Sequence, residues 1–299
     1  MQIDGSTRIV GVFGHPIAHT ASPAMHNAAF DRFGMNWRYL AFDVDPARLG
    51  GALHGIADLN FAGVNLTVPH KILALDIVDE VDKQARLLGA VNTVIVDGHE
   101  LHGFNTDGYG FVRGLREDFG LELRGRRVLI LGAGGAGRAL AIQAAMDGAA
   151  AIFLANRTVS KAFQVVGEIR KIVPHAFTVA LPLQPAHIAK HLDEVDLVVN
   201  ATSIGLGDDA SPIPAQILTP DLFVLDLIYR PTRLLREAAS AGCTVSDGET
   251  MLLHQGAAAF TLWTGQPAPV EVMQEALQAA RDGGVTSAEG EPGVDAAAG

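Results

Sequence analysis

A glycine turn between an apolar run and a helical pattern constrains this chain more than any other stretch. Residues 126–140, RRVLILGAGGAGRAL, carry a short aliphatic run, then Gly132, Gly134 and Gly137 at G-x-G-x-x-G spacing, then an alanine-rich segment that reaches residue 146. An uncharged run of this kind reads as a strand covered on both faces, and the whole as strand, tight turn, helix. The first glycine permits the turn, the second lets a diphosphate approach the backbone, and the third lets helix and strand pack closely. Free N–H groups and the macrodipole at the helix start favour an anion there. Gly132, Ala133, Gly134, Gly135, Ala136 and Gly137 are therefore candidates to hold a dinucleotide. The spacing alone is a weak signal, since a structural βαβ turn also uses glycine. The context strengthens it: Gly148 is placed to stop the helix, and residues 151–155 form a second apolar run.

The end of that second run selects the cofactor. An NAD-specific fold places a carboxylate there, about 20 residues beyond the glycine turn, to hold the ribose hydroxyls. This chain has Asn156-Arg157-Thr158 instead. A guanidinium pairs with a 2′-phosphate where a carboxylate would repel it, so NADP is expected. Thr158 has a second reading as the N-cap of a helix over residues 159–171.

Composition narrows the class. With 299 residues, 48% of them hydrophobic, the chain can bury two cores, and it has no apolar stretch long enough to span a bilayer. One cysteine, Cys243, among 299 residues points to a soluble protein of a reducing cytoplasm. A net charge of −11 argues against nucleic acid and membrane surfaces as partners and leaves a small molecule. Residues 283–299 are Gly, Ala, Glu and Pro without periodicity and read as a disordered tail. Nothing in the composition sets the oligomeric state, and a homodimer stays open.

The first third of the chain alternates strands and helices ahead of the nucleotide fold. Residues 8–13, 37–43 and 61–66 read as strands, and 23–33 and 46–56 as helices. Between them, Thr20 and Ser22 stand two apart, which in an extended segment points both hydroxyls the same way, an arrangement suited to a carboxylate. Ser22 alone also fits an N-cap followed by Pro23. His15, His19 and His26 resemble a metal cluster in spacing only: Pro16 and Pro23 interrupt the helix such ligands need, and no metal is expected.

Residues 65–71, NLTVPHK, leave a strand and enter a helix with Pro69 near its first position, which puts Lys71 in the first turn. A cation there opposes the macrodipole, poor for stability and plausible for chemistry. Asp107, at the start of a helix running to about residue 118, is either a cap or a functional carboxylate. Gln255 sits in an apolar helical run over residues 251–263, where an amide needs partners or a ligand.

Together these segments resemble the shikimate dehydrogenase family, which includes quinate/shikimate dehydrogenases. The resemblance rests on GHPIAHTASPAMHN (14–27), NLTVPHK (65–71), GAVNT (89–93), GFNTDG (103–108), GAGGAGRA (132–139), NRT (156–158), NATSIG (200–205) and GETMLLHQGAAAF (248–260), and extends over residues 8–281. It implies an α/β protein of two domains. Residues 1–105 with 248–282 would bind substrate, and residues 106–247 would form a Rossmann-type NADP domain, with the C-terminal helices returning to the first. It further implies that Lys71 and Asp107 form the catalytic dyad and that Thr20, Ser22, Thr67, Asn92 and Gln255 bind substrate. Thr202, Ile204, Ile228 and Gly248 would join the glycine turn and Asn156, Arg157 and Thr158 in holding NADP. The family's usual residue at position 20 is serine, so Thr20 is a departure. The expected reaction is reversible reduction of 3-dehydroshikimate to shikimate, with quinate or a related polyol acid as the alternative substrate. Two rivals are a nucleotide-binding regulatory protein, against which Lys71 and Asp107 speak, and a folate-interconverting dehydrogenase, against which the hydroxyl pair speaks.

Overall fold

The computed structural model describes residues 3–18 and 20–288, with 283–288 by backbone alone. Residues 1–2, His19 and residues 289–299, with the rest of the expected tail, lie outside the described residues. The chain builds two six-stranded sheets. The first draws on β1 (Arg8–Gly14), β2 (Trp37–Asp43), β3 (Gly63–Leu66), β4 (Glu80–Val81), β5 (Thr93–Asp97) and β6 (Glu100–Phe104). Helices α1 (Ser22–Arg32), α2 (Leu49–Asp58), α3 (His70–Leu73) and α4 (Lys83–Leu88) connect them. Strand order is β2-β1-β3-β5-β6-β4, parallel from β2 to β3 and antiparallel across β5.

Helix α5 (Asp107–Phe119) leads to the second sheet. That sheet holds β7 (Arg127–Leu131), β8 (Ala151–Asn156), β9 (Thr178–Pro182), β10 (Leu197–Asn200), β11 (Phe223–Asp226) and β12 (Thr244–Asp247). Its connecting helices are α6 (Gly135–Met146), α7 (Val159–Ile172), α8 (Pro185–Ile188) and α9 (Arg233–Ser240). The order β12-β11-β10-β7-β8-β9, all parallel, is a doubly wound Rossmann sheet whose strand order reverses between β7 and β10. Successive residues of β7 face opposite sides, Val128 and Ile130 into one core and Leu129 and Leu131 into the other. Cover on both sides is why the strand reads as an unbroken apolar run.

Helices α10 (Glu249–Thr264) and α11 (Val270–Ala288) return to the first sheet, where Leu253, Phe260, Met273 and Leu277 pack with Val10, Val12, Met25 and Phe30. The opposite face of that sheet is covered by Leu49, Leu53 and Ile56 of α2.

Two expectations need correction. The helix expected over 46–56 begins as a 3₁₀ turn, Pro46–Arg48, because the Asp45 carboxylate accepts from the Ala47 amide at 2.8 Å and draws in that turn before α2 starts. The stretch expected as tail from residue 283 instead continues α11 to Ala288. Glycine inside a helix costs only about 1 kcal/mol, so Gly283 and Gly284 do not stop it.

Candidate active site

The two units meet in a cleft at the carboxyl ends of β7 and β11, where a Cβ on Gly135 would lie 3.0 Å from Lys71 Cβ and Tyr229 lies near Thr20. The Lys71 ammonium lies 2.7 Å from Asp107 Oδ2, with the two side chains 13% and 3% exposed. Burial on this scale keeps water from competing with the pair. The macrodipole expected at Lys71 is missing: α3 is a single turn with Pro69 as its N-cap, too short to build one. What holds Lys71 is Asp107.

Asp107 is held in turn. The Asn92 amide donates to Asp107 Oδ1 at 2.9 Å, to Thr106 Oγ1 at 2.9 Å and to Gln255 Oε1 at 3.2 Å. Asn92 Oδ1 accepts from the Thr106 amide at 2.8 Å and from the Thr93 hydroxyl at 3.0 Å. Thr106 holds the N-cap position of α5 and Asn105 Oδ1, just before it, receives the Asp107 amide at 3.0 Å, so Asp107 is the first helical residue rather than the cap. Gln255 is only half-buried, and its amide donates to Leu252 O at 2.9 Å.

Thr20 and Ser22 face one another with their hydroxyl oxygens 3.3 Å apart. Ser22 is not an N-cap: Ala21 takes that position and Ser22 is the first helical residue, which turns its hydroxyl toward the cleft network. The Thr67 hydroxyl bonds to no other described residue, and Thr67 sits half-buried at the end of β3. Two tyrosines that sequence reasoning missed complete this side. Tyr39 is fully buried and donates to Asn65 Oδ1 at 2.8 Å; burial pushes its pKa up, with the nearby Ser22 working the other way. Tyr229, on the turn after β11, lies near Thr20 and Ala21; burial raises its pKa, and those two neighbours work the other way.

The glycine turn is shaped for a diphosphate. Gly132 has φ +104, and a Cβ on Gly137 would lie 2.0 Å from Gly132 O. Both positions therefore require glycine. No side chain caps α6, and the space beside Gly134 is open, so the first N–H groups of the helix remain for an anion. Asn156 Oδ1 receives the Ala133 amide at 3.1 Å, so this side chain joins the two turns. Thr158 occupies the N-cap position of α7 without a capping bond, and Arg157 beside it is exposed and unpaired among the described residues. No carboxylate ends β8, and the residues present fit a 2′-phosphorylated dinucleotide.

On the other side of the strand reversal, the Thr202 hydroxyl donates to Asn200 Oδ1 at 2.7 Å and accepts from the Ile204 amide at 3.1 Å. Asp226, fully buried, receives Asn200 at 3.0 Å, the Ile228 amide at 3.1 Å and Thr232 at 2.7 Å. Burial raises its pKa while the three donors work the other way. A Cβ on Gly248 would lie 2.4 Å from Leu227 O. The turns bearing Thr202, Ile204, Ile228 and Gly248 are thereby locked together.

His19 lies outside the described residues, and the other two histidines have separate surroundings. His15 turns to Asp43 at 2.6 Å, and His26 is buried with its ring stacked 4.3 Å from that of Tyr39. Among the described residues no group of three His, Cys, Asp or Glu side chains is placed to hold a metal ion, and no helix is long and apolar enough to cross a membrane.

A doubly wound nucleotide sheet opposed by a second α/β unit, with a buried lysine–carboxylate pair where they meet, defines a dinucleotide-dependent oxidoreductase acting on a CH–OH group. Family models match along the chain: the shikimate dehydrogenase substrate binding domain over residues 12–94, shikimate/quinate 5-dehydrogenase over 115–205, and the shikimate 5′-dehydrogenase C-terminal domain over 248–278. The shikimate dehydrogenase (NADP(+)) of Methanopyrus kandleri is 48% identical over 282 residues, 93% of this chain and 97% of that one. The shikimate 5-dehydrogenase of Thermus thermophilus, solved with NADP(H) and shikimate, superposes with a TM-score of 0.80 at 40% identity over 91% of this chain and 99% of that one. Quinate dehydrogenase from Corynebacterium glutamicum, solved with NAD, gives 0.82 at 33% identity over 91% and 99%. The chain belongs to the shikimate dehydrogenase family.

Proposed function

We propose that this protein catalyses the reversible, NADP-dependent reduction of 3-dehydroshikimate to shikimate in the cleft between its two sheets. The observation that carries the reading is the 2.7 Å contact of Lys71 with Asp107, buried and braced by Asn92. Residues 1–105 with 248–282 act as the substrate domain and residues 106–247 as the NADP domain. NADPH, when bound, supplies the hydride that reduces the ring ketone. Gly132 to Gly137 would hold its diphosphate, Arg157 and Thr158 its 2′-phosphate, and Thr202, Ile204, Ile228 and Gly248 would serve its nicotinamide end.

Thr20 and Ser22 bind the substrate carboxylate, and Thr67, Asn92 and Gln255 bind ring hydroxyls. The Lys71 ammonium gives a proton to the carbonyl oxygen as that oxygen becomes a hydroxyl, and in the oxidative direction the neutral amine takes it back. Asp107 orients Lys71 and stabilises its charged form. The lone Cys243 supports a reducing, cytoplasmic setting.

The test is absorbance at the NADPH band with NADP and a panel of shikimate, quinate and related acids. Turnover of shikimate supports the reading. Turnover of quinate alone would move the substrate, and NADP binding without turnover of any acid would favour the regulatory rival.

A further inference from the structure

We infer that Arg138 is a positioning residue which, from the first helix of the nucleotide sheet, fixes the turn on which Lys71, Asn92 and Asp107 all depend. The inference rests on reading the cleft as the active site. Arg138 is the residue after Gly137, yet its guanidinium turns away from the phosphate cradle. Its Nε donates to Leu88 O at 3.1 Å, the last residue of α4 beside the other sheet. A helix-end carbonyl has no partner in its own helix, so this bond caps α4 from across the cleft. The far edge of the guanidinium pairs with Glu168 on α7, the two side chains being 18% and 35% exposed. Gly89, next after Leu88, has φ +64, and a Cβ there would lie 2.0 Å from Arg138 Nη2. The guanidinium thus occupies the room a side chain at position 89 would need.

The four residues after Leu88 show what this cap controls. The Val91 amide donates to Lys71 O at 2.8 Å. Ala90 O receives the Asn105 amide at 2.8 Å, and Asn105 Oδ1 receives the Asp107 amide at 3.0 Å. Asn92 then reaches the Asp107 carboxylate itself. One turn touches the lysine, the carboxylate and the amide between them, so a shift at Leu88 reaches all three. Helix α6 meets the same region twice more. A Cβ on Gly135 would lie 3.0 Å from Lys71 Cβ, and Gln143 Oε1 receives the Gln84 amide at 3.3 Å. The helix whose start is shaped for the diphosphate also locates the catalytic turn.

Arg138→Ala is expected to lower kcat for shikimate oxidation about tenfold, as sub-ångström misplacement does, while the Kd for NADP read by calorimetry changes less than about twofold. In an Asn92→Ala background the same substitution should cost far less, because the group being positioned is gone. Arg138→Lys keeps the charge without the planar fork and should recover only part of the rate. Glu168→Gln leaves Arg138 in place without its counter-charge and should give the same pattern at smaller size, which serves if Arg138→Ala does not fold. In the unliganded protein the amide signals of Ala90, Val91 and Asn92 should move in the variant, a readout independent of substrate. Failure of the wild-type enzyme to oxidise shikimate would overturn the functional reading and leave those signals to decide the role of Arg138. Unmoved signals, a loss of NADP affinity as large as the loss in kcat, or costs that add in the Asn92→Ala background would each overturn the inference.

Discussion

Tyr229, on the turn after β11, lies against Thr20 of the other half of the chain, and the Thr20 hydroxyl works against burial in setting the Tyr229 pKa. In the proposed reaction Thr20 therefore has two tasks, to face the substrate with Ser22 and to receive the nucleotide half of the molecule. The methyl group that distinguishes it from serine restricts χ1 and so restricts how one hydroxyl serves both.

Thr20→Ser should raise kcat/KM for shikimate severalfold and leave the KM for NADP nearly unchanged, since one methyl in a pocket discriminates by about 1 to 3 kcal/mol. Tyr229→Phe should remove most of that gain. Steady-state kinetics of the two single variants and the double variant check this, and identical shikimate and quinate profiles for Thr20→Ser and wild type would remove Thr20 from the pocket.

Lys71→Ala should cut kcat by about 10² or more with a smaller change in KM. Asp107→Asn should be severe as well, and the two combined should cost far less than their sum, because the 2.7 Å contact makes them one unit. A loss confined to KM would make Lys71 a binding residue instead.

Arg157→Ala should weaken NADP by roughly 1 to 3 kcal/mol and leave NAD almost untouched. Titration calorimetry with both cofactors decides it: equal losses would mean that Arg157 does not read the 2′-phosphate.

His26 makes stability depend on pH. Burial depresses its pKa from 6.5 to about 3, so the folded chain refuses a proton that the unfolded chain accepts. Stability is full above the unfolded value and falls as pH drops from 6.5 toward 3, by up to about 1.4 kcal/mol per pH unit for one such group. Burial depresses His70 in the same direction. Denaturant melts between pH 7 and 5 should show His26→Phe losing stability less steeply than wild type, and parallel slopes would refute the assignment.

How much of this could be read from residues alone follows from where the information lies. The nucleotide half was legible because a parallel strand covered on both faces writes itself as an apolar run, and because Gly132 and Gly137 have no substitute at their positions. The dipole expected at Lys71 is absent because α3 is one turn long, and its pairing with Asp107, 36 residues on, follows from the fold. The short α4 and the two-residue β4 leave no periodicity to detect. Tyr39, Asn65, Tyr229 and Arg138 were invisible because their roles lie in partners 26 or more residues away in sequence or across the cleft.

The return of α10 and α11 to the first sheet orders the protein's birth as well as its shape. Val10, Val12, Met25 and Phe30 are covered by residues 253–277, which leave the ribosome only after the entire nucleotide sheet has been made. That sheet can close while its neighbour still shows an open apolar face, an aggregation hazard during synthesis. The amide network around Asp107 is likewise incomplete until Gln255 arrives on α10, so the newborn chain completes its second sheet before the surroundings of Lys71 and Asp107.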